Sequence, residues 1–67
     1  MIFDFTKEEY ERFKEELMLN DELSKILEMK IKGETIVAIS QALNISESTV
    51  NRRVRQLKRK ITKLLLK

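Results

Sequence analysis

The chain has no proline and a single glycine, Gly33, in 67 residues. Tight hairpin turns need residues that accept positive φ, glycine above all, so strands joined by short turns are poorly provided for. Nothing breaks a helix from within, and the apolar spacing is helical throughout. The expected fold class is all-α: one compact four-helix domain over 1–67, with a long C-terminal helix. A chain of this length buries only ~60% of the surface its unfolded form exposes, so the core is thin. With neither cysteine nor histidine, a disulfide framework and a thiolate or imidazole metal site are both excluded. Stability must come from helix packing, oligomerisation, or both. No apolar run approaches the ~18 residues that span a bilayer, and no signal-peptide pattern opens the chain. A cytoplasmic protein is the expectation, with which the lack of cysteine is compatible.

Punctuation residues place the helices at about 7–18, 21–32, 36–43 and 47–66. Thr6 and Glu9 form a capping box, with Phe5 and Tyr10 as its hydrophobic staple. Tyr10, Phe13 and Leu17 then recur on one face. Asn20 or Asp21 caps the second helix, Leu23, Ile26 and Leu27 supply its buried stripe, and Gly33 follows as its stop. Thr35 caps the third, with Ile36, Ile39 and Leu43 inward and the small Ala38, Ser40 and Ala42 permitting close approach. Asn44-Ile45-Ser46 interrupts it: Asn44 tolerates the left-handed conformation of a sharp turn, Ile45 tucks under the corner, and Ser46 caps the fourth helix. Val50, Val54, Leu57, Ile61, Leu64 and Leu65 recur along one seam of that helix, about 30 Å long.

Charge is unevenly spread. Residues 1–34 hold six basic and ten acidic groups, net −4; residues 35–50 hold only Glu47; residues 51–67 carry eight basic groups and no acid. A solvated helix face usually interleaves opposite charges at i,i+4. A stripe of one sign is instead the footprint of a polyanion partner, nucleic acid first.

Helices at 36–43 and 47–57 joined by a three-residue turn have the layout of a helix-turn-helix. If Val50, Val54 and Leu57 pin one face of the second helix to the core, Ser48, Asn51, Arg52, Arg55 and Arg59 project from the other. A helix fits the ~12 Å major groove of duplex DNA, where arginine forks onto guanine and asparagine onto adenine. Asn51, Arg52 and Arg55 are therefore the expected base readers. Thr35, Ser46, Ser48, Thr49, Lys58 and Arg59 are expected on the DNA backbone, the hydroxyls aided by free amides at the helix start. Glu47 suits the helix dipole, with acceptance from cytosine N4 as the alternative.

Catalysis is not expected. The commonest general base and the strongest nucleophile are both missing, one glycine cannot build a phosphate-cradling loop, and the paired acids Glu8/Glu9 and Glu15/Glu16 diverge on a helix. No cofactor, metal or small-molecule ligand is indicated.

Residues 19–61 resemble the DNA-binding domain of LuxR/GerE-type response regulators. The matching residues are Leu19-Asn20, Ile26-Leu27, Met29, Gly33, Thr35, Ile39, Leu43, Ile45-Ser46, Thr49-Val50, Leu57 and Lys60-Ile61. Region 4 of sigma-70-type factors is similar in its Ser46-x-x-Thr49-Val50 … Leu57-x-x-x-Ile61 pattern. The LuxR resemblance implies base-facing positions at Asn51, Arg52 and Arg55, although a basic residue is common where Asn51 stands. Arg53 occupies the family's usual histidine position and is expected to bind backbone phosphate. LuxR-type regulators normally carry a receiver or ligand-binding domain, and sigma factors a promoter-melting region. Helix one is too small for either, so the chain resembles a free-standing module of the small-regulator kind found in bacteria and phages.

Beyond Leu57 the fourth helix continues with Ile61, Leu64, Leu65 and Leu66. These either cover helix one or form a homodimer seam through Ile61, Leu64 and Leu65, as LuxR-type domains often do. The expected function is a sequence-specific, double-stranded DNA-binding transcriptional regulator. The alternative is an interaction module that docks on RNA polymerase or another regulator. A membrane-surface or RNA-binding helix is a weaker reading, since residues 47–67 contain no aromatic side chain.

Overall fold

A computed structural model describes residues 5–66. The chain forms α1 (Lys7–Glu16), α2 (Asp21–Ile31), α3 (Ile36–Leu43) and α4 (Glu47–Leu65), with no strand among the described residues. Each start is set by a side chain that satisfies amides left without an intrahelical partner. Thr6 Oγ1 accepts from the Glu9 amide at 3.2 Å while the Thr6 amide donates to Glu9 Oε1 at 3.0 Å, closing the capping box. Asn20 Oδ1 accepts from the Leu23 amide at 2.8 Å, Thr35 Oγ1 from Ala38 at 3.1 Å and Ser46 Oγ from Thr49 at 3.1 Å. Thr6, Thr35 and Ser46 cap where the punctuation residues put them, and of Asn20 and Asp21 it is Asn20 that caps α2.

α1, α2 and α3 each end against a left-handed residue. At Gly33 φ is 86°, and the Gly33 and Glu34 amides return to the Lys30 and Met29 carbonyls. This is the paired closure of a Schellman motif. The same closure ends α1: the Met18 and Leu19 amides donate to the Glu15 and Lys14 carbonyls, with φ 51° at Met18. That reversal is why α1 stops at Glu16, two residues short of the expected 18. The Phe5 ring ahead of the cap meets Phe13 edge-on, 4.9 Å between centroids, and both Phe5 and Tyr10 pack against the core.

Packing is organised by α4, which lies against both α3 and α2, while α1 lies against α2. Phe13, Leu23, Ile26, Leu27, Ile39, Val50, Val54, Leu57 and Ile61 form one buried core. Every helix contributes, and four of the nine come from the α4 seam. Ser40, also buried, donates to the Val37 carbonyl at 2.8 Å, so its hydroxyl is satisfied as α3 passes close to its neighbours. Ile61, expected in a dimer seam, is 0% exposed and belongs to the core of one copy. Leu64 packs on the core from its edge, whereas Leu65 and Leu66 are 52% and 81% exposed.

Candidate nucleic-acid interface

The corner between α3 and α4 is built from three side chains. Asn44 ends α3 in the left-handed region at φ 56°, ψ 46°, and its amide returns to the Ser40 carbonyl. Asparagine accepts this conformation at low cost, so the chain reverses without a glycine. Ile45 is half-buried against the core, which anchors the corner from below. Ser46 then opens α4.

Burial of Val50, Val54, Leu57 and Ile61 fixes the rotation of α4 about its axis. At about 100° per residue the opposite arc passes through Ser48, Arg52, Arg55, Arg59 and Lys63. All five are exposed, as is Asn51 beside them. The expected base readers therefore share one outward surface. Among the described residues, no carboxylate pairs with Arg52, Arg55, Lys58, Arg59, Lys60 or Lys63. Each keeps its full charge for a partner.

Two shallow hollows flank the arc. Asn51, Val54, Arg55 and Lys58 line one; Arg52, Gln56, Arg59, Lys60 and Lys63 line the other. Gln56 and Lys60 were not among the expected site residues. Their positions four and eight residues after Arg52 carried the signal, since those spacings keep to one side of a helix.

The hydroxyls at the helix starts are more committed than expected. Thr35 and Ser46 accept from backbone amides as caps, and Ser46 Oγ and Thr49 Oγ1 share a hydrogen bond of 2.8 Å. A hydroxyl that accepts can still donate, so these groups keep part of their capacity toward phosphate. Ser48 is exposed and has no capping duty.

Arg53 has a partner within the chain. Its Nε donates to Glu22 Oε1 at 2.5 Å, which joins α4 to the first turn of α2. The side chain expected on phosphate thus already holds an internal carboxylate through Nε.

No helix among the described residues is long and apolar enough to cross a membrane. No acidic cluster among them could hold a metal ion. The family model for bacterial regulatory proteins of the luxR family, GerE, matches residues 22–63, a stretch that takes in nearly all of α2, all of α3 and most of α4. Neither a curated protein nor a solved structure gives a match. The matched residues carry both helices of the helix-turn-helix and the seam that turns its arginines outward, and on that match the chain belongs to the luxR family of bacterial regulatory proteins, whose helix-turn-helix domains bind DNA.

Proposed function

We propose that the protein is a sequence-specific regulator that reads double-stranded DNA with the N-terminal half of α4. In this reading α4 lies in the major groove, and Asn51, Arg52 and Arg55 meet base edges. Ser48, Lys58 and Arg59, with the Thr35, Ser46 and Thr49 hydroxyls beside them, hold the phosphates that set its register. The observation that carries the proposal is the division of α4 itself: an enclosed valine and leucine seam on one side, and exposed arginines without carboxylate partners on the other.

Selection of bound duplexes from a random pool at defined salt tests this directly, because a base-reading helix enriches a motif. On the enriched duplex, Arg52→Ala or Arg55→Ala costs about 1–3 kcal/mol and relaxes preference at one position. Lys58→Ala weakens every duplex alike and flattens the salt slope by about one. Equal losses on enriched and random duplex for both arginine variants would overturn base reading.

A two-fold dimer is part of the proposal. The exposed Leu65 and Leu66 at the end of α4, with the edge of Leu64, support pairing with a second copy. Such a pair sets two recognition helices about 34 Å apart, one turn of DNA, and the enriched motif is then palindromic.

A further inference from the structure

Arg53 and Arg52 are neighbours in sequence with opposite circumstances. One residue along a helix is about 100° around it, so the exposed Arg52 points outward while Arg53 turns toward α2. There Glu22 meets it, 31 residues earlier in the chain. The carboxylate is well held: it lies in the first turn of α2, where the helix dipole favours negative charge, and the Asn20 cap fixes that turn. The side chains are 36% and 39% exposed for Arg53 and Glu22, so the pair is open to solvent on the flank of α4 that faces α2. Among the described residues, Arg53 is the one α4 cation tied to a carboxylate.

We propose that Glu22 withholds Arg53 from the DNA backbone. A phosphate that approached this flank would compete with a carboxylate already hydrogen-bonded to the guanidinium Nε, and would meet that carboxylate's charge as it did so. Arg53 thus releases no counterion on binding, and the affinity of α4 for arbitrary duplex is lower by one contact than its composition implies. Glu22 acts only through Arg53. It is a positioning residue that trims the sequence-independent part of binding and leaves the base readers untouched. This rests on the duplex-binding reading above.

The test is a salt series of anisotropy titrations on random-sequence duplex, with helix content checked by circular dichroism. Glu22→Gln should bind more tightly and steepen the dependence of log K on log salt by about 0.9. Arg53→Gln should leave the wild-type slope unchanged, and this second variant tests the proposal independently of the first. In the Arg53→Gln background, Glu22→Gln should produce no further steepening, and Asp21→Asn, which removes a neighbouring negative charge, should leave the slope alone. Flattening by about 0.9 in Arg53→Gln would overturn the proposal, because Arg53 would then already hold a phosphate. So would an unchanged slope in Glu22→Gln, or steepening that survives without Arg53. A wild type that binds no duplex at low salt overturns the DNA reading as well, whereas intact wild-type binding with any of the other contrary results removes only the role of Glu22.

Discussion

Met18 holds a left-handed backbone with its side chain 88% exposed. Such a conformation brings Cβ against the carbonyl and costs roughly 1–2 kcal/mol for an ordinary L-residue. The long side chain recovers little of this from contacts. Met18→Gly should therefore raise stability by about 0.5–1 kcal/mol, part of the relief being lost to the greater freedom of glycine in the unfolded chain. Urea unfolding measures it, and an unchanged or lowered midpoint would show that the turn carries no strain. The same geometry recurs at Gly33 and Asn44, and there the residue types announce it. Caps and stops are legible in sequence because each is settled within a few residues by one side chain and nearby amides. Methionine at a left-handed position gives no such signal, since packing of α1 on α2 decides how sharply the chain must turn.

At the scale of elements, the contact of α1 with α2 is readable through the sole tyrosine of the chain. Partial burial raises the Tyr10 phenol above its ordinary value, and the neighbouring Glu28 carboxylate, which also accepts its hydrogen bond, raises it further. Lys32, by hydrogen bond and charge, holds Glu28 below the usual carboxylate range, and a carboxylate is in any case ionised where a phenol titrates. A phenol whose pKa is raised on folding ionises more readily in the unfolded chain. Its contribution to stability is complete below the unfolded value of about 10 and is lost as pH rises through the folded one. Phenolate absorbance should titrate later in the native protein than in urea, and Glu28→Gln should bring the native curve part of the way back. Coincident native and denatured curves would mean that α1 does not pack as described. The existence of α1 follows from its capping box and the Tyr10, Phe13, Leu17 spacing, but periodicity does not say which helix it meets. The structure places its one fully buried side chain, Phe13, in a core shared by all the helices.

For the whole molecule, the acidic first half and the basic end of α4 make a dipolar particle, which favours approach to a polyanion with α4 leading. Pairing through the C-terminal leucines predicts self-association in sedimentation at high micromolar concentration, shifted toward monomer by Leu66→Glu. Leu66 is the suitable position because, at 81% exposure, its replacement leaves the core intact. A wild type that stays monomeric with and without duplex would exclude this seam. The sequence by itself determined the four helices, their caps, and the outward face of α4, because hydrogen bonds at helix ends and the period of apolar residues are local properties. Only the tertiary structure decided that Ile61 closes the core of one copy and that Arg53 is claimed by Glu22. Both depend on which helix lies beside α4 and at what rotation, and that is settled by packing between segments far apart in the chain, where no local spacing rule reaches.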